Sequence, residues 1–302
     1  MATNNPIPYT SKNTFEEKYI EIKGLKFRTH NWPVPADVPY KAKIIIVHGF
    51  CEHVVLYTKV CDQLCSEGYE CFVFDQRGAG LTSPGKEKGI TNDAFTYADL
   101  DQMIGLNLKS LPDGKKLFLF GHSMGGGILL NVGIKGVFRD RLAGIVAMGP
   151  LIISHPKTKP NPLLRAALGQ VCKILPNMKI DAKLQADYIL GDSPWKQYLI
   201  DDPLCKAVGS LRQMQDMLVR GEKLLDPEYA SKMKKDLPVL ITHGEQDYIN
   251  DIKGSRQFFD MCGSTDKKLT TYETGRHSLY LEGDEVYVPW FKDVLEFFNG
   301  HL

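Results

Sequence analysis

Short apolar runs alternate with longer stretches of helical periodicity along most of the 302-residue chain, and this alternation restricts the fold more than any other feature. KIIIVHG (43–49) is a continuous apolar run, the pattern of a strand buried on both faces. A helical pattern follows over about 54–67 and ends at Gly68. ECFVFD (70–75), LFLFG (117–121), LAGIVAMGP (142–150), LPVLITHGE (237–245) and KLTTYET (268–274) read as further strands. The stretch 93–111 reads as a helix capped by Asn92 or Asp93, with further helices from Met124, over 251–261 and over 285–299. Residues 17–32 read as two strands around a turn at Gly24. Strand–helix alternation of this kind predicts an α/β class: a mostly parallel central sheet flanked by helices, with right-handed crossovers. Reactive groups should then gather on loops at the carboxyl ends of the strands.

Residues 151–230 break the rhythm. They hold seven of the 17 prolines (156, 160, 162, 176, 194, 203 and 227), strand signals vanish and helical pieces dominate. The expected organisation is a core formed by 1–150 and 231–302, with 151–230 inserted as a helical cap, or lid, over the strand ends.

The segment LFLFGHSMGGGILL carries G-x-S-x-G at Gly121–Gly125. An apolar strand precedes it and a helix-forming run follows. A sharp strand-to-helix turn forces the central residue into a strained backbone conformation, and side chains two positions to either side would clash. Ser123 would stand clear of the sheet at a helix N-terminus, where free N–H groups favour an oxyanion. A serine hydroxyl needs a base. With the chain order Ser, acid, His expected around such an elbow, His277 and His301 are the histidines that follow a plausible acid. His301 is penultimate, whereas His277 lies in a loop just after a strand. Glu245, Asp247 and Asp251 follow the strand 237–245. Asp247 is the expected orienting acid, with Asp251 the alternative and better suited to cap the next helix. The N–H groups of Met124, directly after the nucleophile, and of Phe50, in the loop His48-Gly49-Phe50-Cys51-Glu52-His53, are the expected oxyanion donors. Gly49 should give that loop the freedom to turn in. His48 reads as packing beside it.

Together HGFCEH, FDQRGAGLTSPG, GHSMGGG, GPLII, HGEQD-x-IND-x-KGS and GRHS resemble the monoglyceride lipases, α/β-hydrolase-fold serine hydrolases, and the fungal branch more than the animal one. Scattered blocks of the resemblance run from about residue 17 to 300. It implies hydrolysis of monoacylglycerol to fatty acid and glycerol without a cofactor. It assigns Ser123, Asp247 and His277 as nucleophile, acid and base, and Phe50 and Met124 as oxyanion donors. It also gives Glu52 a part in binding the glycerol head group. Animal members carry an arginine where Leu56 stands, so head-group binding through that position is not expected.

Other classes find little support. The formal charge of +1 gives no global attraction to nucleic acid. Gly78-Ala79-Gly80 starts a G-x-G-x-x-G pattern, but Ser83 holds the third place. The seven cysteines form no CxxC pair and the histidines no HExxH spacing, so no metal site is expected from spacing. An odd, irregular cysteine set reads as reduced thiols in the cytoplasm. MATNNPIPYTSKNTFEEKYIEI lacks the apolar centre of a secretory signal, and no run of about 18 apolar residues suggests a span. In 155–183, Leu164, Leu168, Val171 and Leu175 fall at helical spacing among six basic residues and one acid. A basic amphipathic helix reads as a membrane-surface element. The expectation is a protein that is not secreted, with peripheral contact to lipid droplets or the endoplasmic reticulum membrane.

Overall fold

The computed structural model describes residues 6–302, apart from the side chain of Leu164. The strands are β1 (Glu16–Ile22), β2 (Leu25–Trp32), β3 (Ala42–Val47), β4 (Tyr69–Phe74), β5 (Lys116–His122), β6 (Gly144–Met148), β7 (Lys179–Asp181), β8 (Val208–Ser210), β9 (Val239–Gly244) and β10 (Lys267–Tyr272). Eight of them form one sheet in the order β1-β2-β4-β3-β5-β6-β9-β10. β1 pairs with β2, and β2 with β4, in antiparallel fashion; all other neighbours are parallel. The α/β sheet read from the sequence is therefore the sheet observed.

The apolar runs show why both faces must be covered. Side chains alternate across a strand. On β3, Ile44 and Ile46 enter one core cluster, while Ile45 and Val47 enter the other. On β5, Phe118 and Phe120 face the first cluster, Leu117 and Leu119 the second. The first is closed by α1 (Thr58–Ser66) and the long C-terminal helix, through Val60, Leu64, Trp290 and Phe298. The second is closed by α2 (Asp93–Ser110) and α3 (Met124–Lys135), through Leu100, Ile104, Ile128 and Leu129. Asn92 caps α2 by accepting from the Phe95 N–H at 2.9 Å.

Residues 151–230 add no strand to this sheet. They contain α4 (Pro162–Ile174), α5 (Ala186–Ile189), α6 (Pro194–Asp201), α7 (Leu211–Lys223) and α8 (Pro227–Ala230). Pro162, Pro194 and Pro227 each open a helix behind an Asn, Ser or Asp cap. A first-turn proline lacks an N–H that the helix could not pair anyway. Part of the local proline density thus marks helix starts. One element escaped the periodicity: β7 and β8 pair as a three-residue antiparallel ribbon. Strands this short are below what an alternation pattern can register. Leu175 also lies beyond the end of α4, off the helical face expected for it. After α9 (Ile252–Met261), α10 (Asp284–Gly300) closes the chain. Among the described residues no helix is long and apolar enough to cross a membrane.

Candidate active site

Because β3, β5, β6, β9 and β10 run parallel, the loops that follow them emerge at one edge of the sheet. Ser123 follows β5 directly with φ 54° and ψ −115°, in the left-handed region that non-glycine residues avoid. The close approach of three backbones accounts for it. A Cβ on Gly125 would lie 2.0 Å from the Val47 carbonyl oxygen, and one on Gly121 would lie 2.7 Å from the Gly125 backbone. The Ser123 N–H donates to Met148 O at 2.9 Å, pinning the elbow to the end of β6.

Asp247 and His277 arrive from the loops after β9 and β10. The His277 Nδ1–H donates to Asp247 Oδ2 at 2.8 Å. Both side chains are buried. The same oxygen receives His243 Nε2 at 3.2 Å, and Oδ1 receives the Ile249 and Asn250 N–H groups at 2.8 Å each. Burial alone would raise the Asp247 carboxyl; the facing His277 ring, and then His243, hold it well below the usual carboxylate range. Burial lowers the His277 imidazole below its ordinary value, and Asp247 offsets only part of that. Asp251, the alternative acid, caps α9 by accepting from the Lys253 N–H at 3.0 Å. Among the described residues no hydrogen bond joins Ser123 Oγ to His277, although both line one cavity. Catalytic contacts of this kind are often long before substrate arrives.

Ser123 Oγ instead receives the Asn250 amide at 3.4 Å; that amide also donates to Gly149 O at 2.7 Å. Asn250 is buried and lines the cavity beside Ser123. Sequence reasoning passed over it, since an asparagine three residues beyond an acid carries no spacing signal.

The loop after β3 approaches from the other side. Its Phe50 N–H and the Met124 N–H at the start of α3 have no hydrogen-bond partner among the described residues. The strained residue here is Cys51, at φ 58°, not Gly49. Gly49 is needed for space: a Cβ there would sit 3.1 Å from that of Ser123. His48 braces the loop from beneath. Its Nδ1–H donates to Gly49 O at 2.8 Å, and its Nε2 accepts the Gln76 N–H at 2.9 Å.

Glu52 ties this loop to the elbow. Oε2 accepts the Gly49 N–H at 2.6 Å and the Tyr57 hydroxyl at 2.7 Å, while Oε1 meets His122 Nδ1 at 2.6 Å. His122 Nε2 in turn donates to the His277 carbonyl at 3.1 Å. His122, the unspecified residue before Ser123, therefore joins the loop after β3 to the loop that carries His277. The charge of His122 pulls the Glu52 carboxyl, otherwise raised by burial, down to about 2. With three protein donors on its oxygens, Glu52 acts first as a brace. Leu56 is fully buried in the core and is not among the residues that line the cavity.

Glu52 lends stability in a defined pH window. Its folded-state value is lowered from 4.5, so the contribution is complete above pH 4.5 and lost as pH falls through about 2. Glu52→Gln should cost about 3 kcal/mol at neutral pH, because a neutral amide forfeits the charge-assisted bonds that Gly49, Tyr57 and His122 make to the carboxylate. Urea unfolding from pH 7 downward should show the gap between the two proteins closing below pH 4.5; a gap independent of pH would remove the assigned ion pair.

Residues 38–284 match the protein family described as "Serine aminopeptidase, S33". The chain is 39% identical to the monoglyceride lipase of Saccharomyces cerevisiae, over 98% of this chain and 97% of that protein. It is 27% identical to the human monoglyceride lipase over 86% of this chain and 82% of the other. A crystal structure of a soluble variant of the S. cerevisiae enzyme, in complex with a substrate analog, superposes with a TM-score of 0.93 at 38% identity, covering 98% and 99% of the two chains. A monoacylglycerol lipase from Paleococcus ferrophilus shares the fold at a TM-score of 0.79 and 23% identity, covering 91% of this chain and 99% of the other. With a near full-length relative at this identity and a superposition of this quality onto a solved structure of it, the chain belongs to the monoglyceride lipase family of α/β hydrolases.

Proposed function

We propose that this chain hydrolyses the ester bond of monoacylglycerols to fatty acid and glycerol, with Ser123 as nucleophile, His277 as base and Asp247 as orienting acid. One observation carries the reading: the elbow serine and the Asp247-bound imidazole both line one cavity of about 830 Å³. Leu151, Leu168, Ile180, Leu199, Met214 and Met217 line that cavity, which suits an acyl chain. The curated relatives point to the same substrate class.

In this mechanism Ser123 Oγ attacks the ester carbonyl while His277 Nε2 takes its proton. The tetrahedral oxyanion rests on the Phe50 and Met124 N–H groups. His277 then protonates the departing glycerol, and a water activated by the same ring releases the fatty acid. Asp247 holds the tautomer and stabilises the imidazolium without taking the proton. Asn250 keeps the resting hydroxyl in place beside Gly149. Glu52 shapes the head-group end of the cavity by fixing the loop that carries Phe50. No step calls for a metal or a cofactor.

Residues 151–230 serve as the cap over this cavity. Its outer surface supports contact with a lipid droplet or bilayer. Leu163 and Ile174 are 82% and 81% exposed, and Leu175 and Met178 extend the apolar surface. Leu168, expected among the lipid-facing residues, lines the cavity instead, and the side chain of Leu164 lies outside the described residues.

Ser123→Ala should lower kcat on monooleoylglycerol about 10⁴-fold or more and abolish labelling by a fluorophosphonate probe. A labelled, active variant would refute the nucleophile, and faster turnover of lysophosphatidylcholine or a short-chain ester would refute the substrate. The base must be neutral to act, and burial depresses its conjugate acid below 6.5. The kcat/KM plateau should therefore extend down through pH 6.5 and fall only beneath it; an acid limb above that value would contradict the role of His277. Finally, Leu163→Asp with Ile174→Asp should weaken co-sedimentation with phospholipid vesicles about tenfold or more. Unchanged binding by the folded double variant would eliminate this docking face.

A further inference from the structure

Spacing along the chain offers no metal motif, yet among the described residues the fold assembles a set of metal-type ligands from distant segments. His53 ends the loop that carries Phe50. Asp202 and Cys205 lie in the 151–230 segment, where Asp202 caps the short 3-10 turn Pro203–Cys205. Three residues make one turn of such a helix, so positions i and i+3 share a side. One donor atom from each of His53 (a ring nitrogen), Asp202 (a carboxylate oxygen) and Cys205 (Sγ) lies within 4.8 Å of the other two. Both His53 and Asp202 are buried, whereas Cys205 is half-buried and lines the cavity.

The geometry points to a binding site for a zinc-type divalent cation, held by His53, Asp202 and Cys205 across the seam between the oxyanion loop and the cap. The donor set is one nitrogen, one oxygen and one sulfur, the chemistry that favours Zn²⁺ over Mg²⁺ or Ca²⁺. His53 Nε2 and Asp202 Oδ2 now stand 2.7 Å apart as a hydrogen-bonded pair. Tetrahedral zinc, with bonds of about 2.0–2.3 Å, separates its donors by roughly 3.3–3.6 Å. The pair must open by less than an ångström. Asp202 Oδ1 stays on the Leu204 N–H at 2.8 Å, which keeps Oδ2 aimed at the ion.

The protons balance simply. The imidazole proton moves from Nε2 to Nδ1, an atom that is buried without a partner among the described residues. The Cys205 thiol proton leaves to solvent. A water from the cavity completes four ligands. The three side chains of the tripod come from both sides of the seam. A bound ion therefore tethers the cap to the loop bearing the Phe50 N–H, and it should inhibit by hindering passage of an amphiphile. This last consequence rests on the hydrolase reading; the binding itself does not.

Cobalt titration of the full-length protein, reduced with a phosphine rather than a thiol, tests the site. Wild type should develop a thiolate-to-cobalt charge-transfer band that saturates at one equivalent and is reversed by zinc. The band should vanish in Cys205→Ser and persist in Cys51→Ser. Zinc should inhibit monooleoylglycerol hydrolysis, with the half-inhibitory concentration at least tenfold higher in Cys205→Ser, each protein being referred to its own metal-free rate. Asp202→Asn, with its weaker oxygen donor, should raise the same concentration and serves if Cys205→Ser fails to fold. A wild type without the band, a band retained in Cys205→Ser, or equal zinc sensitivity in the variants would overturn the site. If the ester is not a substrate, the band alone decides.

Discussion

The arrangement of the site depends on a crowding of three backbones around one residue. Ser123 holds a left-handed conformation because β3 ends directly beneath α3, with room for only a hydrogen at Gly125. The strain is carried by the surrounding sheet, whose central strands are buried on both faces and cannot yield locally. Moving the elbow would mean unpairing β5 from β3 or β6. The hydroxyl is thus positioned by the same parallel ladder that gives the fold its core, and stability and chemistry share one set of contacts.

Around that fixed point the polar groups form two chains that meet at the loop of residue 277. One runs from Asp247 through its ring hydrogen bond to the imidazole. The other runs from Glu52 through His122 to the backbone carbonyl of the same residue. Side chain and main chain of His277 are therefore held independently. Buried networks of this kind are costly when incomplete and rigid when satisfied. Here Asp247, the main chain of His277 and the loop after β3 are each anchored by hydrogen bonds from other protein groups.

Much of this was legible in the residues, because it is local. Continuous apolar runs such as residues 43–47 announce strands covered on both sides, and the glycine spacing around Ser123 announces a turn that only small neighbours permit. The triad candidates could be ordered by chain direction and strand ends alone. What escaped notice lies between elements far apart in sequence. Nothing in GHSMG says that its histidine reaches a glutamate 70 positions earlier, or that Asn250 reaches a serine 127 positions away. The positive φ at Cys51 has no mark in the sequence for a related reason: the glycine two positions earlier is required for room rather than rotation. The ribbon β7–β8 was invisible because three residues cannot display an alternation.

The open sheet has another consequence. It leaves two bare strand margins, β1 and β10, each presenting unpaired peptide groups that a neighbouring molecule could adopt as its own next strand. Both margins are fortified with charge: Glu16, Glu17 and Lys18 open β1, and Lys267 and Lys268 open β10. Edge-to-edge zipping would force these groups out of water and against their counterparts. Charge placed at a sheet margin in this way opposes the templating of a further strand from another molecule.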